Sequence, residues 1–190
     1  MVNAECDPMP VYIAMLRGIN IGPNKRMKME KLRASCEALG FNKVKTFIQS
    51  GNVVFQAAKL SPASLSKKLE DRILSDFGFS AAVITRSKDE MARVVKNNPL
   101  LKEPDIDPKK LHVVFLVESP KSEALKKLET LTLAPDKFSV AGKEIYCYFP
   151  NGVSGSSLWK HPLDRVLSVP VTMRNWNTVN TLHEMAVECG

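Results

Sequence analysis

Apolar residues recur along the first half of the chain at two spacings, one proper to strands and one to helices. Val11–Leu16 is an unbroken apolar run that closes with Arg17 ahead of Gly18, which predicts a buried strand over 11–17. Met29, Leu32, Cys36 and Leu39 follow at helical spacing with Gly40 as the stop, so 27–39 reads as a helix. Strands over 44–49 and 52–57 flank Ser50–Gly51, a hairpin signal. Ser61 and Pro62 form an N-cap with proline at the first helical position, and Leu65, Leu69, Ile73 and Phe77 line one helix face up to Gly78. Residues 81–85 predict a further strand. Ser87–Lys88–Asp89–Glu90 is a capping box ahead of a short helix carrying Met91, Val94 and Val95.

Residues 98–109 hold Pro99, Pro104 and Pro108 among charges and interrupt the pattern, as a linker does. The order of elements then returns. Leu111–Val117 predicts a strand, Ser119–Pro120 caps a helix bearing Leu125 and Leu128, and strands near 136–140 and 143–149 meet at Ala141–Gly142. The loop Pro150–Asn151–Gly152 leads to a helix near 157–167, a strand near 170–174 and a last helix near 177–188. No residue identity between the halves stands out. The repeated order alone implies an α+β chain of tandem ferredoxin-like (βαββαβ, alpha-beta plait) units, each with an appended helix. The expected organisation is a first unit over 1–97, a linker over 98–109 and a second unit over 110–190.

That topology locates polar residues. The C-terminal end of the first strand lies beside the tip of the central hairpin, which brings Arg17 and Asn20 near Gln49, Ser50 and Asn52. In the second unit the third and fourth strands end on one sheet edge. Asn151, Gly152, Ser154 and Ser156 are thereby brought near Arg174, Asn175 and Trp176.

Composition narrows the class. Of 190 residues 44% are apolar and 25% charged, which leaves enough apolar material for a core and excludes disordered and fibrous classes. The longest apolar runs fall far short of the ~20 residues that cross a bilayer. The segment MVNAECDPMP has no basic stretch followed by an apolar one, so no signal peptide and no membrane partner are expected. Cys6, Cys36, Cys147 and Cys189 are too scattered for a C-x-x-C motif, which fits free thiols in a cytoplasmic protein. The net charge of +7 is concentrated in the first hundred residues. Lys25, Arg26, Lys28, Lys31 and Arg33 stand against Glu30 alone, a patch that attracts nucleotides or nucleic acid if it is more than a solvated helix face.

Four segments carry a family likeness: LRGIN at Leu16–Asn20, IQSGNVVF at Ile48–Phe55, FPNGVSGSSL at Phe149–Leu158 and TMRNWNTV at Thr172–Val179. In order and spacing the chain resembles the bacterial domain-of-unknown-function family 1697. The resemblance implies two ferredoxin-like units. It also implies that Arg17, Asn20, Gln49, Ser50, Gly51, Asn52, Ser156, Arg174, Asn175 and Trp176 occupy signature positions. The family pattern has basic residues where this chain has Gly155 and Ser157. The family name supplies no activity.

The chemistry of these positions is that of binding. Helix starts near Asn151–Ser157 and at Asn177 offer N–H groups to phosphate or carboxylate, and Arg174 can clamp the same anion, although caps and turns use the same residue types. Gln49 and Asn52 suit bases or sugars, although Ser50, Gly51 and Asn52 also suit a plain hairpin turn. The segments 16–26, 48–55, 150–157 and 172–179 contain no Asp, Glu, His or Cys to serve as acid, base, nucleophile or metal ligand. His161 and Asp164 follow on the next helix, and His112 and His183 have no partners at ligand spacing. There is no phosphate-binding glycine loop of the Walker or dinucleotide type, and neither a metal nor a cofactor is expected. A binding module for a phosphorylated or anionic ligand, a nucleotide or RNA, is therefore favoured. The alternatives are a metal-independent enzyme of unknown reaction and a structural or regulatory protein that forms homo-oligomers through open sheet faces. Tyr146 and Tyr148 share one face of a central strand and could stack bases, but 143–149 lacks the basic and glycine residues of an RNA-binding plait.

Overall fold

The structure is a computed structural model that describes residues 9–131, 134–156 and 163–190. The first sheet contains β1 (Val11–Leu16), β2 (Asn42–Phe47), β3 (Asn52–Gln56) and β4 (Val83–Ser87) in the order β2-β3-β1-β4, all antiparallel. Helices α1 (Met29–Glu37) and α2 (Pro62–Phe77) make its crossovers. The second sheet repeats this with β5 (Leu111–Leu116), β6 (Lys137–Ala141), β7 (Glu144–Tyr148) and β8 (Val171–Asn175) in the order β6-β7-β5-β8, crossed by α4 (Ser122–Glu129) and α5 (Leu163–Leu167). These are tandem ferredoxin-like units. The appended helices are α3 (Lys88–Lys96) and α6 (Trp176–Cys189), and each begins at the residue after its strand ends. The chain groups into residues 1–90 with Leu182–Gly190, and Met91–Thr181. Residues 98–109 hold two 3-10 turns, Pro99–Lys102 and Pro108–Lys110, and fall in the latter group.

Strand alternation sorts the side chains. In the first unit Tyr12, Ala14, Leu16, Val53, Phe55 and Val83 face Leu32, Leu65, Leu69 and Ile73 of the helices. Phe41 and Phe55 stack there with ring centroids 4.4 Å apart. The opposite face, with Ile13, Met15, Val54, Ile84 and Arg86, is buried as well. The end of α6 closes its edge: the Cys189 carbonyl accepts from Gln56 Nε2 at 2.9 Å and Lys43 Nζ at 3.1 Å. In the second unit Val114, Leu116, Ile145 and Cys147 pack with Leu128 and Leu167. On its other face Val113, Phe115 and Tyr146 are buried, and the Tyr146 hydroxyl donates to the Val94 carbonyl at 3.1 Å. A base cannot stack on Tyr146 there, and the sheet faces proposed for self-association are not open.

The repeat that no residue identity discloses is plain in the backbone bonds. Leu16 N donates to Gly51 O at 2.8 Å as Leu116 N does to Lys143 O at 2.9 Å, and Ala57 N to Pro10 O as Phe149 N to Lys110 O, both at 3.1 Å. Arg86 lies opposite Ile13 and Arg174 opposite Val113, each one residue before the cap of the following helix.

Several element ends differ from expectation. Strand β4 runs from Val83 to Ser87, because Thr85 and Arg86 are buried in it despite their polarity. Four residues, 48–51, turn the first hairpin. The N-cap of α4 is Lys121, which makes no side-chain cap bond, so Ser119–Pro120 is not the cap. Of the helix expected near 157–167, the structure describes Leu163–Leu167, and residues 157–162, with His161, lie outside the described residues. Ser61 and the Ser87–Glu90 capping box stand as expected.

Candidate functional site

At the C-terminal end of β1 the chain enters an exposed loop that a single amide closes. Asn20 Oδ1 accepts from Met27 N at 2.7 Å, while Nδ2 donates to Met27 O at 2.9 Å and to Gln49 O at 2.8 Å. Its own backbone N–H donates to Lys25 O at 3.0 Å. Asparagine suits the position because its φ of 56° lies in the left-handed region, which Asn tolerates better than most residues. One side chain thus ties the loop after β1, the entry to α1 and the β2–β3 turn into one tip.

The turn has its own supports. Asn52, fully buried, donates through Nδ2 to Phe47 O at 3.1 Å and Ser50 Oγ at 3.0 Å. Gly51 is required twice over: its φ is +76°, and a Cβ there would meet Ile19 Cδ1 at 2.6 Å and Leu16 Cβ at 2.8 Å. Ile48 is the exception in this tip. It is β-branched yet sits at φ 49°, a conformation that costs on the order of 1–3 kcal/mol, and it is 49% exposed. Ile21, in the loop that Asn20 closes, is 77% exposed.

Charge surrounds these groups. Lys25 Nζ is used by Ser80 O at 2.9 Å, and Lys31 Nζ by Asp76 O at 2.7 Å while lying 4.7 Å from the Phe77 ring centre. Arg26, Lys28 and Arg33 are exposed, and among the described residues no ion pair engages them. Arg17 is half-buried with its N–H on Ala82 O at 2.9 Å, and Gln49 is exposed. Of the residues expected here, the structure brings Asn20, Gln49, Ser50 and Asn52 together, with Asn20 bonded to the backbone, Asn52 to the Phe47 carbonyl and Ser50 Oγ, and Gln49 exposed.

The second expected cluster shares a sheet edge but divides between faces. Arg174, only 7% exposed, lies on the Tyr146 face, where Nη1 donates to Thr172 Oγ1 at 2.8 Å and Met173 O at 2.9 Å; burial lowers its pKa to about 10. Ser156 is buried and donates to Asp136 Oδ2 at 2.6 Å. Asp136 is near enough to Cys147, on the opposite face, to add to the burial that pushes that thiol to about 12. Asn175 caps α6 through Oδ1 to Thr178 N at 2.8 Å, and Trp176 is buried. This edge carries architecture: a buried guanidinium, a cap and a buried serine–aspartate pair.

Asp136 was not foreseen, because it lies outside every signature segment; a lone aspartate before a strand gives no signal. Ile48 was legible in principle, as an isoleucine inside a turn. Burial and Glu37 hold the Cys36 thiol at about 12, so neither Cys36 nor Cys147 is a ready thiolate. Among the described residues no three His, Cys, Asp or Glu side chains are grouped to hold a metal, and no helix is long and apolar enough to cross a membrane.

Comparison with known proteins agrees with the fold. Residues 9–146 match the model of the family described as protein of unknown function (DUF1697). The solved structure of the conserved bacterial protein SP0830 from Streptococcus pneumoniae is similar, with 25% identity, a TM-score of 0.76, and coverage of 94% of this chain and 99% of that one. No curated protein matches.

Proposed function

We propose a function for this chain, which belongs to the DUF1697 family of proteins of unknown function, from the tip of its first unit: it is a binding module for a phosphate-bearing anion, a nucleotide or nucleic acid. The observation that carries this reading is the Asn20 clamp. By holding the Met27 backbone and the Gln49 carbonyl it brings the chain positions of Arg26 and Lys28, which flank Met27, to the turn that carries the exposed Gln49. Arginine and lysine that face water, here with no ion pair among the described residues, attract phosphate from a distance and release counterions on contact. Asn20, Gln49, Ser50 and Asn52 belong to this site, Asn20 and Asn52 as its frame and Gln49 as a contact. Ser156, Arg174, Asn175 and Trp176 serve the second unit's structure.

The test is fluorescence anisotropy with labelled single-stranded oligonucleotides and inorganic polyphosphate at about 50 and 200 mM salt. Binding should weaken steeply with salt, and Arg26→Ser and Lys28→Ser should each lower the log–log slope by roughly 0.7. No binding of any phosphate polymer at the lower salt refutes the reading.

A further inference from the structure

We infer that the tip takes a single-stranded nucleic acid whose unstacked bases seat on Ile48 and Ile21, an inference that rests on the phosphate-binding reading above. Ile48 is where sequence and stability disagree. Its φ of 49° suits glycine or asparagine, and its 49% exposure gives an isoleucine little burial in return. Ile21 repeats the oddity at 77% exposure, next to the residue that clamps the loop. The Asn20 bonds to Met27 and to the Gln49 carbonyl bring the backbone that carries Ile21, Arg26 and Lys28 to the turn that carries Ile48 and the exposed Gln49.

A ligand that fits must offer negative charge, apolar faces and hydrogen-bonding edges together. Polyphosphate leaves both isoleucines in water. A duplex keeps its base faces in the stack. An anionic lipid surface would take Ile48 into the acyl region with Gln49 beside it, an amide with nothing there to pair with. A single strand supplies phosphates for the cations, base faces for the isoleucines and base edges for Gln49.

The experiment compares the full chain's affinity for a short single strand with that for an abasic strand of equal length, at about 50 mM salt. The base-bearing strand should bind about five- to tenfold tighter, as expected for partial burial of an isoleucine side chain. Ile48→Asn should remove most of this preference with the salt slope unchanged, while the melting temperature rises by about 2–4 °C from relief of the left-handed isoleucine. Ile21→Ser should reduce the preference without moving the melting temperature. RNA and DNA strands, run in parallel, assign the sugar. Equal affinity for abasic and base-bearing strands overturns this inference and leaves the phosphate reading standing, as does wild-type affinity in both variants. Absence of binding to either strand overturns this inference, and absence of polyphosphate binding as well overturns both; retention on phosphatidylserine vesicles without oligonucleotide binding replaces nucleic acid by a lipid surface.

Discussion

Replacing Gly51 by alanine tests how the tip of the first unit is held, and the second unit supplies the control. Gly51 and Gly142 both sit in the central hairpin turn of their units, with φ of +76° and +64°. A Cβ at Gly142 meets nothing within 4 Å, whereas at Gly51 it would lie 2.6 Å from Ile19 Cδ1 and 2.8 Å from Leu16 Cβ. Ile19 is 2% exposed and has little room to withdraw, and Leu16 Cβ is fixed to the strand backbone. Each substitution carries about 1–2 kcal/mol for a left-handed alanine, offset by about 0.4–1 kcal/mol from a stiffer unfolded chain. Gly51→Ala adds about 1–3 kcal/mol of overpacking. The expected losses are roughly 2–4 kcal/mol for Gly51→Ala and about 1 kcal/mol for Gly142→Ala. At about 2–4 °C per kcal/mol for a chain of this size, Gly51→Ala should melt some 5–15 °C below wild type and well below Gly142→Ala. Urea unfolding of both variants beside the wild type measures the difference. Equal losses would refute the close packing of Ile19 and Leu16 under the turn.

Asn20→Ala removes all three side-chain bonds of the clamp and puts alanine at a positive φ; a loss of about 2–4 kcal/mol is expected, and hydrogen exchange should show the Met27 amide losing protection. His112 is held below its usual 6.5, first by burial and in part against a bond to the Lys110 carbonyl, so the folded state binds fewer protons than the unfolded chain. Its contribution is therefore fully present above about pH 6.5 and declines as the pH falls from there, a dependence that urea titrations of His112→Gln between pH 5 and 8 should find reduced. Arg174→Ala removes the bonds to Thr172 Oγ1 and Met173 O and should lower stability by about 1–3 kcal/mol while leaving oligonucleotide affinity unchanged; an intact fold with lost affinity would move the binding site to the second unit.

Much of the fold is legible in the residues, for identifiable reasons. The run Val11–Leu16 and the helical stripe Leu65, Leu69, Ile73 are unambiguous because one period dominates each. The ends of β4 are not, because Thr85, Arg86 and Ser87 are polar in a strand that buries the first two. Connectivity alone places Asn20 beside the hairpin tip, and the bond to Gln49 O follows. It cannot say which face of a sheet a side chain takes when strand ends are uncertain by a residue, since the pleat has period two. That is why Arg174 and Ser156 share an edge and yet divide between faces. The roles of Ile48 and Ile21 escape pattern reading, because exposure and backbone angle are properties of the folded chain.

The direct passage from Ser87 into Lys88, and from Asn175 into Trp176, limits how the chain can change in length. A loop absorbs an inserted residue by bulging, but these junctions have no loop. One residue added between strand and helix turns every later helical position by about 100°. In α3 such a turn would carry Met91 and Val94, both buried, out of register with what covers them. Insertions and deletions accumulating in homologous chains should avoid these two points and collect in segments such as 103–105, where every residue is exposed.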